Sequence, residues 1–270
     1  MLANWVYDNP LWLVGAAIVC GSVAVGCLGL LACHRLVDLE LRRRHNDLAG
    51  FLIAIVGILY AVLLAFIAVT AWETYAKAGD AVDAEANAVG NMFFDTAGVP
   101  HEDALAYRKL LADYIRLVID EEWPAQHAGR IGTETYRKGW LVLGNLNVAV
   151  ARFAPASQGE ANMHTELLQD LNLIFSGRRT RQLAAESRIP EVIWWIILWG
   201  GILTVGFTYL FGSHSLAMHL TMTSGVTASL ALVIVLIVAF DYPFRGEVAV
   251  DSEAYRAVLD LMTSYSFPPR

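Results

Sequence analysis

The chain is poor in charge and in the residue patterns that mark catalysis. Of its 270 residues, 17% are Asp, Glu, Lys or Arg, where a soluble domain of this size carries roughly a quarter. Cysteine is confined to Cys20, Cys27 and Cys33. Cys20 and Cys27 lie in one apolar run and Cys33 directly ends it, and a single helix cannot bring them into disulfide geometry with one another. The formal charge of −7 argues against a nucleic acid partner. There is no glycine-rich nucleotide loop, nucleophile elbow or His-Glu-x-x-His pattern. The chain therefore does not read as an enzyme, and no catalytic residue, cofactor or metal ligand is assigned. His101, Glu102 and Asp103 are adjacent and point in different directions on a helix, so they read as an acidic first turn. His214 and His219 are too few for a metal site and read as interfacial residues.

What is present is apolar sequence, 56% of the chain. It is gathered in four runs, about 11–32, 48–72, 192–211 and 216–240. Each approaches or exceeds the ~20 residues that a helix needs to cross a bilayer, and none contains a charge. Backbone in lipid must satisfy itself, so these runs are expected to be helices. The expected class is an all-α membrane protein of four transmembrane helices with a helical-bundle domain inserted between the second and third. Its parts are 1–72 (first two spans), 73–190 (helical polar domain continuing from the second span), 191–240 (transmembrane hairpin) and 241–270 (tail with a short amphipathic helix). The loop 33–47 carries Arg35, Arg42, Arg43 and Arg44, and the positive-inside rule places it in the cytoplasm.

Within the polar domain, Tyr75, Val82, Ala86, Val89 and Phe93 follow helical spacing, with Lys77, Asp80, Asp83 and Glu85 assigned to the opposite face. Leu110, Tyr114, Leu117 and Val118 define the next helix, expected to stop at Trp123-Pro124. Ser157 with Glu160 forms a capping-box pattern ahead of Met163, Leu167, Leu171 and Ile174.

In the spans, Gly57, Ala61 and Ala65 recur every four residues, as do Gly200, Thr204, Thr208 and Gly212, and Thr221, Gly225 and Ser229. Small residues at this spacing let helices approach closely in lipid. Gly57, Ala61, Ala65, Thr221, Gly225 and Ser229 are therefore assigned to helix packing. Tyr60, Leu64, Ile67 and Thr70 lie on another face of the second span and are assigned to a pore. Asn46 or Asp47 is expected to cap that span. Asp241 ends the fourth run, either as a plain stop or paired with an arginine of the set Arg178, Arg179, Arg181 and Arg188.

Several of these residues form an ordered set. His45-Asn46-Asp47 closes the arginine loop. Trp72-Glu73 and Glu85-Ala86-Asn87 follow the second run. Tyr114 precedes Glu122-Trp123-Pro124, and Pro243-Phe244 with Gly246-Glu247 follows the last run. Together they resemble the bacterial bestrophin-like domain family over nearly the whole chain. The resemblance implies a link to bestrophins, which are pentameric anion channels with a cytoplasmic helical domain, and a multipass protein of the bacterial inner membrane. It implies roles in the motif or in gating for Asn46, Asp47, Trp72, Glu73, Glu85, Trp123, Asp241, Pro243, Phe244 and Gly246. Asp241 and Glu247 are too sparse to match the acidic calcium clasp of bestrophins. The expected partners are the lipid bilayer, further copies of the chain and small inorganic ions. The expected function is passive ion conduction through an oligomer. The alternative is a non-conducting scaffold or sensor whose helical domain binds a partner or ligand.

Overall fold

The computed structural model describes residues 2–265. Its helices are α1 (Leu2–Asp8), α2 (Leu11–Leu36), α3 (Leu39–Arg44), α4 (Asn46–Asp95), α5 (His101–Leu117), α6 (Trp123–His127), α7 (Thr133–Arg152), α8 (Gln158–Glu186), α9 (Glu191–Thr208), α10 (Leu216–Asp241) and α11 (Glu253–Ser264). No strand occurs among the described residues. Four helices, α2, α4, α9 and α10, are long and apolar enough to cross a membrane. The chain divides into two compact units: residues 1–73 with 188–242, and residues 74–187 with 243–270.

In the first unit, Tyr60 of α4 lies against Gly200 and Gly201 of α9 and donates its hydroxyl to the Ile197 carbonyl at 2.6 Å. A Cβ on Gly200 would strike the Tyr60 ring. Leu64, Ile197 and Ile237 complete this core. Thr204, Thr208, Thr223 and Thr227 are buried on α9 and α10. Three of them return their hydroxyls to their own helix: Thr204 to Gly200, Thr208 to Val205 and Thr227 to Thr223. Such bonds keep a hydroxyl satisfied where lipid offers no partner. His219 donates from Nε2 to the Thr208 carbonyl at 2.9 Å.

Within the single chain these contacts do not use the stripe assigned to packing, which leaves it to contacts between copies. No atom lies within 4 Å of a Cβ built on Gly57 or Gly225. Ala61, Ala65, Thr221 and Ser229 are exposed in the chain. A spacing of four identifies a stripe of small residues but not what meets it. Here α4 supplies the large residue, Tyr60, and α9 supplies the glycines.

Asn46 opens α4, but its side chain does not cap that helix. It grips the turn after α9, accepting from the Gly212 amide at 2.8 Å and donating to the Gly212 carbonyl at 3.2 Å. Asp47 is exposed in the first turn.

In the second unit the predicted seams meet. Val82, Ala86, Val89 and Phe93 of α4 share one core with Leu111, Tyr114 and Ile115 of α5, Leu143, Leu146 and Val150 of α7, and Leu167, Leu171 and Ile174 of α8. Ser157 accepts from the Glu160 amide as the capping box predicts, while Glu160 reaches back one residue further, to the Ala156 amide. The helix does not stop at Trp123-Pro124. Residues Val118–Glu122 widen into a π-helical turn, and α6 continues to His127 with Pro124 in its first turn. Proline is tolerated there because it directly follows the π turn, where the regular ladder is already interrupted.

Gly200→Leu should push the Tyr60 ring out of its seat, an overpacking cost of about 1–3 kcal/mol. Thermal unfolding of the purified protein in detergent reads this as a lowered midpoint. An unchanged midpoint would remove the α4–α9 packing described above.

Candidate functional site

The second unit encloses a charged network that sequence spacing did not assemble. Gly177 of α8 sits where a Cβ would come within 2.9 Å of the Glu85 Cα, so α4 and α8 touch backbone to backbone. That approach brings Arg178 and Arg181 to the acidic residues. Arg178 forms a two-pronged pair with Glu122, at 2.5 Å and 3.1 Å. Arg181 bonds Glu85 at 2.8 Å and the second Glu122 oxygen at 3.0 Å. Tyr114 donates to Glu85 and accepts from Arg178. Gly139 leaves the space on α7 that a Cβ would take from Arg178 and Glu122. Arg178 also donates to the Tyr136 carbonyl at 3.0 Å.

Aromatic rings close the network. Arg178 lies 5.3 Å from the Tyr114 ring centre and 5.1 Å from that of Trp140. Arg181 lies 5.9 Å from Trp123 and 5.7 Å from Tyr255. A guanidinium sheds water more readily than an ammonium and stacks on ring faces, so arginine suits this position better than lysine. Glu85, Glu122, Arg178 and Arg181 are all fully buried. Two positive and two negative groups leave the network formally neutral. Burial, the largest single influence, favours deprotonation of Arg181, but the Glu85 charge and hydrogen bond together with the Tyr255 and Tyr114 neighbours outweigh it and hold the guanidinium pKa well above its ordinary value. Burial, then the Glu85 charge, pushes the Tyr114 hydroxyl far up. Tyr114 therefore stays a neutral donor.

Glu85 was expected on the polar face of its helix, and the structure buries it. It sits one residue before Ala86 at the margin of the seam, where an approaching helix decides which side is covered. Glu85 and Trp123 are both in the network, and Phe244 packs edge-on against Trp123 at 5.5 Å. Pro243 is buried and Gly246 turns the chain at a φ of 86°, a conformation that favours glycine. Of the four arginines offered to Asp241, Arg178 and Arg181 pair with Glu122 and Glu85, and Arg188 is the one that stays a charged neighbour of Asp241. Asp241 accepts from the Ile189 amide at 2.7 Å. Trp72 and Glu73 are exposed.

A second carboxyl cluster lies in the same unit. Burial, then the charge and hydrogen bond of Asp95, then the charge of Glu166, push Asp170 up to about 6. Among the described residues no group of three or more His, Cys, Asp or Glu is placed to hold a metal ion.

Most of the residues assigned to a pore pack within the chain. Tyr60 is 5% and Leu64 2% exposed. Ile67 is half-buried against the same core, and Thr70 is exposed with its hydroxyl on the Phe66 carbonyl. Their side of α4 faces α9 and α10. The uncovered side carries Phe51, Ile55, Ile58, Val62, Phe66 and Val69, which lie together at 3.6 residues per turn.

Glu122→Gln or Glu85→Gln should destabilise the protein by about 3–5 kcal/mol, because each leaves a buried guanidinium short of charge. Glu121→Gln next door should cost under ~1 kcal/mol, although Glu121 meets Lys138 at 2.5 Å, because both side chains are more than half exposed. Unfolding midpoints of the three variants check this ordering. Asp170 titrates the other way from an ion-paired acid. Its folded pKa of about 6 lies above the ordinary ~3.9, so folding takes up a proton and stability falls as pH rises through that window. Asp170→Asn should flatten this fall and raise the midpoint at pH 7.

Two solved structures share the fold. One is a mutated bacterial bestrophin homolog from Klebsiella pneumoniae, at 11% identity and a TM-score of 0.67, covering 91% of this chain and 99% of that one. The other is a mutated membrane protein, at 12% identity and a TM-score of 0.66, covering 92% and 99%. No curated protein matches the chain. The Bestrophin-like domain family matches residues 20–255, most of both units, and the chain is a multipass membrane protein that belongs to this family.

Proposed function

We propose that the protein is an oligomeric ion channel in which four spans, α2, α4, α9 and α10, cross the membrane and α4 lines the pore. The observation that carries this reading is the uncovered face of α4. Ile58 is 65% and Phe66 70% exposed in the single chain, while the opposite side is packed. A helix buried on one side and bare on the other fits a ring of copies around an axis. The bare face holds no charge, which fits a passive conduit gated by an apolar constriction. The lack of charge also counts against a proton pump or voltage sensor. Resemblance to bestrophins supports a pentamer and anion selectivity. A bacterial inner membrane is the setting, and the arginine count supports a cytoplasmic loop 33–47.

A scaffold that binds a partner through its helical unit is the second reading. Leu141, Val148, Leu173 and Leu183 are large, apolar and exposed on that unit, and they suit a partner protein as well as a neighbouring copy.

Flux from liposomes holding the purified protein separates the two readings. Chloride flux exceeding potassium flux, raised by Val62→Ser or Ile58→Ser, is expected for the channel. Tyr60→Phe should lower stability and leave selectivity alone. Silent liposomes containing folded, oligomeric protein would turn the assignment to the scaffold.

A further inference from the structure

The first unit contains a long groove between α2, α9 and α10 with a volume of 480 Å³. Its walls are apolar and rich in glycine: Gly21 and Gly26 from α2, Gly201 and Gly206 from α9, with Leu230 and Ile234 from α10. Gly26 is explained by the chain itself, since a Cβ there would come within 3.0 Å of Thr227. Gly21 and Gly206 are not, because nothing lies within 4 Å of a Cβ on either. The fold does not need them small, whereas something lying in the groove would.

Size narrows the occupant. The α9 wall runs from Ile197 to Gly206, about 14 Å at 1.5 Å per residue. A single hydrocarbon chain can lie along a slot of that length. The rim is continuous with surface meant for lipid, since Val25, Leu198 and Ile202 are exposed there.

Charge narrows it further. Tyr209 lines one end of the groove, and its hydroxyl has no hydrogen-bond partner among the described residues. Beyond it lies the arginine loop. Arg42 is 3% exposed. Its partners are neutral: His34 Nδ1 at 2.9 Å and the Phe211 carbonyl at 3.5 Å. Its Nε has no partner. Arg43 packs on Gly212 in the same corner, and neither it nor Arg35 has an acidic partner among the described residues. A buried guanidinium with only neutral neighbours favours an anion nearby. Basic pockets beside membrane helices draw anionic headgroups.

We propose that this groove seats one acyl chain of an anionic glycerophospholipid, with its phosphate at the corner formed by Arg35, Arg42 and Arg43 and its ester region within reach of Tyr209.

The test uses the full chain reconstituted in nanodiscs of equal phosphatidylglycerol and phosphatidylcholine. The protein is then extracted in mild detergent, and its retained lipid is weighed by native mass spectrometry. Phosphatidylglycerol should be retained over phosphatidylcholine by roughly tenfold or more, given about 1 kcal/mol per arginine near an anionic surface. Gly206→Phe, and independently Gly21→Leu, should cut retained lipid several-fold at unchanged oligomer mass. Arg35→Gln with Arg43→Gln should bring the ratio of the two lipids toward one while total lipid is kept. Equal retention of both lipids by the unmodified protein would overturn the proposal, as would full retention in both groove variants. A lower oligomer mass in those two variants would assign the groove to a neighbouring subunit and overturn it equally.

Discussion

The second unit depends on two buried guanidinium groups finding two carboxylates. Ion pairs in a protein interior lose hydration worth several kcal/mol per ion, so they persist only when geometry and further hydrogen bonds repay that loss. Here the repayment requires five elements to arrive together. Glu85 comes from α4, Tyr114 from α5, Glu122 from the π turn, the Tyr136 carbonyl from α7, and both arginines from α8. The wide turn at Val118–Glu122 and the missing Cβ atoms of Gly139 and Gly177 follow from the same requirement. A local deviation from helical regularity and two bare backbone positions let the charges close on each other. A network of this kind disfavours alternative packings more strongly than it favours its own, since any slip strands a charge.

The two units solve opposite solvation problems with the same means. In the second, polar groups are gathered inward and satisfied by one another. In the first, the helices face an apolar medium, and threonine hydroxyls return to their own backbones. Tyr60 spans both logics: its ring fills the space over two glycines, and its hydroxyl finds the Ile197 carbonyl. That carbonyl can take a second hydrogen bond because an oxygen has two lone pairs.

Most helices were legible because their signals are local. The four apolar runs, the seam from Val82 to Phe93 and the Ser157–Glu160 cap each depend on residues close in sequence. The phase of a helix about its axis was harder to read. On α4, spacing picked out Gly57, Ala61 and Ala65 as a packing stripe, yet within the single chain Ala61 and Ala65 are exposed and Tyr60 is covered. Phase is set by a partner more than a hundred residues away, and a span without charges gives no polar face to break the tie. The same limit hid the network. Glu85, Glu122, Arg178 and Arg181 were all in view, but their separations of 37, 56 and 3 residues carry no period. A usable hint was the placing of glycine beside charge, in Gly177-Arg178 and in Lys138-Gly139.

The grip of Asn46 on Gly212 depends on a side chain that can donate and accept at once. A carboxamide has both faces, and an ionised carboxylate has only one. Spontaneous deamidation at Asn46 would put two negative oxygens where one lone pair and one hydrogen are needed, and the Gly212 carbonyl would face a repelling group. The clasp joining the two connections of the first unit thus holds only while that amide stays an amide.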